Sequence, residues 1–164
     1  MLSYLKNSGL KIFKISIVLS LVVALASCAW TREKLDIETE IQVKFTISPM
    51  VNPDSDGRAS PVVLNLLYLK DNRQFEQEDF IALLESPEDR LGKDLIEKVR
   101  LKEFIPSEKR LESFVLPNNV KYVGVIVEYV QYQDANGKLV LPIEAHKTNG
   151  YFVNVDKDSI SIKE

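Results

Sequence analysis

The chain has 164 residues, with 21 basic and 24 acidic side chains, one cysteine and one histidine. A single cysteine excludes an intrachain disulfide, so the fold rests on apolar packing alone, and the length suits one core of ordinary size. The acidic balance, with no basic stretch beyond the N-terminus, argues against a nucleic-acid partner.

At the N-terminus, Lys6, Lys11 and Lys14 precede an apolar run of twelve residues, Ile15 to Ala26. That run is too short to cross a bilayer comfortably and has the length of a signal-peptide core. It ends in LASC, Leu25 to Cys28, which resembles a bacterial lipobox. In such a box the thiol takes a diacylglyceryl group, the chain is cut before the cysteine, and the new amine is acylated. The expected organisation is a lipoprotein signal peptide over 1–27, lipidated Cys28 with a tether over 28–36, and a folded domain over 37–164. One acyl chain binds a membrane marginally, whereas several anchor stably. Ala29 rather than an aspartate after the cysteine resembles the pattern sorted to the outer membrane of a Gram-negative cell. The competing reading is an ordinary secretory signal with an incidental cysteine, or a short membrane anchor. Processing would remove three lysines and no acid, leaving 137 residues with 18 basic and 24 acidic side chains.

Beyond the tether, Ile37, Thr39, Ile41, Val43, Phe45 and Ile47 alternate with polar residues, which predicts a long half-buried strand. Ser48-Pro49 ends it, and a polar connection runs to Ser60. Pro61 opens VVLNLLYL, apolar on both faces and therefore expected to be a central strand. Phe80, Leu83 and Leu84 in EQEDFIALLES recur at helical spacing and predict a helix of about three turns. In SPEDRLG, Ser86 stands as N-cap, Pro87 at the first helical position and Gly92 as terminator of a second short helix. The rest reads as strands: Val99 and Leu101, Leu111 to Leu116, YVGVIVEYVQY, and Ile160 with Ile162. Asn136-Gly137 is a hairpin signal, and Asn149-Gly150 a further turn signal before YFVNV. Short strands with regular turns predict a β-sandwich or a barrel.

The chemistry-bearing residues are few. His146 lies in the polar stretch EAHKTNG, and no nucleophile-elbow motif accompanies it. Glu78/Asp79 and Glu88/Asp89 are adjacent on helical stretches, where neighbours point apart, so they make poor acid–base pairs. No Walker A or GxGxxG pattern is present. Asn52, Asp54 and Asp56 followed by Gly57 match the opening of an EF-hand loop. The bidentate glutamate required at position twelve is replaced by Val63, which also falls inside a predicted strand. A weaker cation site on Asp54 and Asp56 stays open. The connection from Ser48 to Ser60 has thirteen residues, against two to five for a tight hairpin. Long loops in compact domains commonly carry function, and three prolines preorder this one, which lowers the entropy cost of docking.

The segments LASC, NPDSDGRASPVVLNLLYLKD (52–71), FEQEDFIALLE (75–85), LGKDLI (91–96) and YVGVIVEY (122–129) together resemble the outer-membrane lipoproteins of type VI secretion systems, the TssJ (SciN) family. The resemblance implies a mainly β fold, a transthyretin-like two-sheet β-sandwich with a short helical insertion at about residues 75–92. It implies a non-catalytic protein without a cofactor or metal, apart from the lipid on Cys28, and without a small-molecule substrate. Its expected role is to anchor the periplasmic C-terminal domain of the inner-membrane protein TssM at the outer membrane. The partner-binding loop carried over to this chain is Met50, Val51, Asn52, Asp54, Asp56, Gly57 and Arg58. Two local departures stand out: Pro106-Ser107-Glu108 where the family usually has Pro-Gly-Glu, and Leu139-Val140 where a Trp-Arg pair is common. The alternatives are a periplasmic lipoprotein binding a small ligand or envelope polymer in a sandwich cleft, and a hydrolase.

Overall fold

The structure, a computed structural model, describes residues 37–133 and 135–163. Eight strands form two four-stranded sheets. The first sheet has the order β4 (Lys109–Leu116), β1 (Thr39–Ile47), β7 (Thr148–Val155), β8 (Ile160–Ile162). The second has the order β3 (Leu95–Arg100), β2 (Val63–Leu69), β5 (Tyr122–Glu128), β6 (Lys138–Pro142). Neighbours are antiparallel except β1 and β7, which run parallel. The architecture is thus the sandwich, not the barrel.

The core follows from the alternation. Ile41, Val43, Phe45 and Ile47 of β1 point between the sheets and meet Leu64, Leu66 and Tyr68 of β2 and Val123, Val125 and Val127 of β5. Phe45 and Phe104 meet edge to face with ring centroids 5.4 Å apart, a favoured aromatic geometry. The apolar run in β2 has its reason on the other face. Leu67, Leu69 and Ile126 are covered there by Phe75, Leu83 and Leu91 of the helical insertion. Gly124 of β5 lies directly under Phe75, where an added Cβ would stand 2.6 Å from the ring.

Three local expectations are corrected. The single helix of about three turns is two short ones, α1 (Arg73–Gln77) and α2 (Phe80–Glu85), followed by α3 (Pro87–Leu91). The break arises because Glu78 is extended and Asp79 is an N-cap whose carboxylate accepts hydrogen bonds from the backbone N–H groups of Ile81 and Ala82. An aspartate competes for backbone donors and so starts helices better than it continues them. Asn136-Gly137 does not make a tight hairpin: β5 ends at Glu128 and β6 starts at Lys138. Asn136 instead bridges to Ser159 beside β8, and Gly137 sits where a Cβ would come within 2.6 Å of Phe80. Asn149-Gly150 lies inside β7. The Asn149 amide is buried and ties the backbone of Glu40, Glu144 and Lys147 together.

The long connection after β1 also gains a structural reason. It leaves one sheet and enters the other, a crossing that no two-residue turn can make. Because β7 is parallel and β4 antiparallel to β1, and β3 and β5 are antiparallel to β2, the β1–β2, β3–β4, β5–β6 and β7–β8 loops gather at one end of the sandwich. The start of β1 lies at the other.

Candidate partner-docking site

The β1–β2 loop has a buried root and an exposed tip. Val51 is fully buried in the core, and Asn52 is 2% exposed. Asn52 adopts φ +48°, a left-handed conformation that asparagine tolerates better than most residues. Its side chain donates to the Pro61 carbonyl at 2.7 Å and accepts from the Val130 N–H at 2.7 Å. Its own N–H donates to the Lys157 carbonyl at 3.0 Å. One residue therefore joins the β1–β2, β5–β6 and β7–β8 loops. Of the seven predicted loop residues, these two are occupied by the fold itself.

The tip is a turn built around Asp54. One carboxylate oxygen accepts from the N–H groups of Asp56 and Arg58, both at 2.9 Å. The Asp54 N–H donates to the Arg58 carbonyl at 2.9 Å, and Gly57, at φ +77°, donates back to the Asp54 carbonyl at 3.0 Å. The Arg58 guanidinium reaches Asp54 and Asp56, each at 2.9 Å. The Arg58 backbone N–H, then its guanidinium and the Asp56 N–H, hold the Asp54 carboxyl below its usual range despite partial desolvation. The two acids thus face an arginine and backbone donors, and among the described residues no three His, Cys, Asp or Glu side chains gather as metal ligands. Met50, ahead of the buried root, is 53% exposed, and Asp56, Gly57 and Arg58 at the tip are exposed.

A groove of about 500 Å³ lies next to this tip, between Asn52-Pro53, the β5–β6 loop and Lys157-Asp158. Its apolar walls include Val130 and Tyr132, which sequence reasoning placed in a strand. The valine–tyrosine alternation continues past Glu128, but the ladder does not. Only the adjoining run of Gln131, Gln133 and Asp134 could have marked the change. His146 lies at the opposite end, in the β6–β7 turn, where its N–H donates to Thr39 Oγ1 at 2.9 Å. Cys28, the predicted lipid site, falls outside the described residues.

The family model described as type VI secretion lipoprotein, VasD, EvfM, TssJ matches residues 39–158. The chain belongs to this family. Among solved structures, this type VI secretion lipoprotein is similar to the T6SS lipoprotein TssJ1 from Pseudomonas aeruginosa, at 25% identity and a TM-score of 0.71, over 77% of this chain and 95% of that one. It is also similar to Serratia marcescens Lip, a membrane-bound component of the type VI secretion system, at 16% identity and a TM-score of 0.69, over 77% and 98% of the two chains. The same fold recurs in the structure described as the T6SS protein TssM C-terminal domain (869–1107) from EAEC, at 18% identity and a TM-score of 0.64, over 77% and 98%. No curated protein sequence matches the chain. Among the described residues, no helix is long and apolar enough to cross a membrane.

Proposed function

We propose that this lipoprotein is cut before Cys28, lipidated there, and held on the periplasmic face of the outer membrane of a Gram-negative cell. There it anchors the periplasmic C-terminal domain of TssM within the type VI secretion membrane complex. It acts by binding, without catalysis, cofactor or small-molecule substrate. The observation that carries this reading is the internally bonded, exposed tip formed by Asp54, Asp56, Gly57 and Arg58, at the end of the sandwich remote from the start of β1. The nine residues of β1 span roughly 30 Å at the rise of an extended strand. The tip and the start of β1 thus lie at different ends of the sandwich. Membership of the type VI secretion lipoprotein family supports a place in that system, and TssM is the partner the family resemblance implies.

Replacing residues 54–58 with a Gly/Ser loop of equal length tests the reading. Asn52 is kept because it holds the fold together. Calorimetry with the TssM periplasmic domain should then show at least about tenfold weaker binding, equivalent to about 1.4 kcal/mol, with unchanged far-ultraviolet circular dichroism. Unchanged affinity would move the contact off this loop.

A further inference from the structure

We propose that the open edge of β4 is a self-pairing surface, on which a second copy of this chain lays its own β4 antiparallel about a two-fold axis through Ser113. The first sheet of each copy then continues into that of the other. The surface is separate from the loop tip and does not depend on what the tip binds.

An unpaired edge strand is a template for another strand, and folded proteins commonly blunt it with short length, charge, proline or a bulge. Among the described residues, three of the four edges are treated in this way. β8 has three residues, and the Ile160 N–H is taken by the Asn136 carbonyl at 3.1 Å. β6 has five residues and ends on Pro142, which has no N–H. β3 carries Glu97, Lys98 and Arg100, and its pairing with β2 slips between Tyr68 and Leu69. β4 has eight residues in unbroken register with β1, and it contains no proline.

The Ile47 N–H donates to the Glu108 carbonyl at 2.9 Å. Bonded and non-bonded pairs alternate along an antiparallel ladder. Arg110, Glu112, Phe114 and Leu116 therefore direct their backbone groups at β1, and Lys109, Leu111, Ser113 and Val115 turn theirs to the open edge. Leu111 and Val115 also point away from the core and are 61% and 56% exposed. The same short strand thus offers free ladder groups and uncovered apolar side chains.

The sequence of β4 complements itself. Only registers that set open residues opposite open residues complete the bonds. Centred on Arg110 or Glu112, the pairing sets like charges directly opposite, which is destabilising. Centred on Leu111, it leaves Val115 facing Ser107, outside the strand at φ +68°. Centred on Phe114, it sets Leu111 against Pro117, which offers no N–H. Centred on Ser113, Leu111 of each copy faces Val115 of the other, Glu112 faces Phe114, Arg110 faces Leu116, and no like charges meet. The open pairs then exchange about six hydrogen bonds. One shared edge is a small interface, so the pairing is weak when the chain is dilute.

Disulfide trapping tests both the pairing and its register. Cys28 is the only cysteine, so in the full chain carrying Cys28→Ser an introduced thiol stands alone. Ser113→Cys, Leu111→Cys, Glu112→Cys and Lys109→Cys are each oxidised at high protein concentration in mild detergent. Facing residues of a bonded pair lie about 5.5 Å apart, within disulfide reach, whereas the two Lys109 positions lie roughly 25 Å apart. Ser113→Cys should give at least about tenfold more covalent dimer than Lys109→Cys. Adding Leu111→Lys and Val115→Lys should cut that yield about tenfold, because like charges then face each other. Far-ultraviolet circular dichroism should stay unchanged, since both side chains are exposed. A maximum at Leu111→Cys or Glu112→Cys would overturn the register. Equal yields at Ser113 and Lys109, or no dimer at any position, would overturn self-pairing, as would a yield that survives the two lysine substitutions. Loss of the Ser113→Cys dimer on adding the TssM periplasmic domain would assign the edge to a strand of that partner instead.

Discussion

Single residues at the loop end divide between those that hold the surface together and those left exposed at the tip. Asp54 is the clearest case, because its carboxylate serves the turn first. Its lowered pKa comes chiefly from the Arg58 backbone N–H and secondly from the guanidinium. A depressed carboxyl pKa contributes stability above the ordinary carboxylate range, and that contribution is lost as pH falls through the lowered midpoint. An NMR titration should therefore place the Asp54 midpoint below that of a model carboxylate. In Arg58→Ala it should rise only part of the way back, since the larger cause, the backbone N–H, survives the substitution. A full return would show that the guanidinium dominates. Ser107 gives a second residue-level test. It sits at φ +68° in the β3–β4 connection, the position where the resembling family usually has glycine. A left-handed non-glycine residue costs roughly 1–2 kcal/mol, offset by the extra chain entropy of glycine of about 0.5–1 kcal/mol. Ser107→Gly should therefore stabilise the chain by about 0.5–1 kcal/mol in urea denaturation. The departure was visible in the sequence; its backbone consequence required the φ angle.

At the scale of elements, the helical insertion acts as a lid over the outer face of the second sheet, and Phe75 on Gly124 is its closest contact. Gly124→Ala should destabilise the chain, because the new methyl would overlap the Phe75 ring; overpacking of this kind typically costs 1–3 kcal/mol. In a Phe75→Leu background the same change should cost less, and the coupling energy of the double-mutant cycle reports the contact. An additive pair would mean that the insertion shifts as a body. The sequence displayed this sheet well, since Val63–Leu69 and Tyr122–Glu128 are apolar on both faces and only covered central strands read that way. It displayed the lid poorly. The spacing of Phe80, Leu83 and Leu84 is helical, but whether Asp79 continues a helix or starts one depends on which backbone N–H groups its carboxylate finds. Asn136-Gly137 and Asn149-Gly150 misled for a related reason. Each pair has the residue types of a turn, yet Gly137 is set by Phe80 overhead and Asn149 by the backbone groups its buried amide ties. Both depend on contacts distant in sequence. The loop end shows the same division: the tip was legible in the spacing of Asp54, Asp56 and Gly57, whereas Val130 and Tyr132 lay hidden in a continuing strand pattern.

For the molecule as a whole, the parallel pairing of β1 with β7 has a functional consequence. It helps to place four loops at one end while β1 starts at the other, so the proposed docking end and the start of β1 are separate. Cys28→Ser then has two expected outcomes that must occur together. Without a lipid the chain should move from the membrane to the soluble periplasmic fraction, and the secretion complex should fail to assemble in the cell. In solution, however, the purified variant should bind the TssM periplasmic domain with wild-type affinity, because the proposed docking end is built by loops of the sandwich and roughly 30 Å of strand separates it from the start of β1. The two readouts discriminate between causes of failure. Loss of assembly with intact affinity means that the lipid supplies location alone. Loss of both would mean that the N-terminal segment takes part in docking, contrary to a surface confined to the loop end. Assembly that survives Cys28→Ser would remove the anchoring role, and the chain would then act as a soluble clamp on its partner.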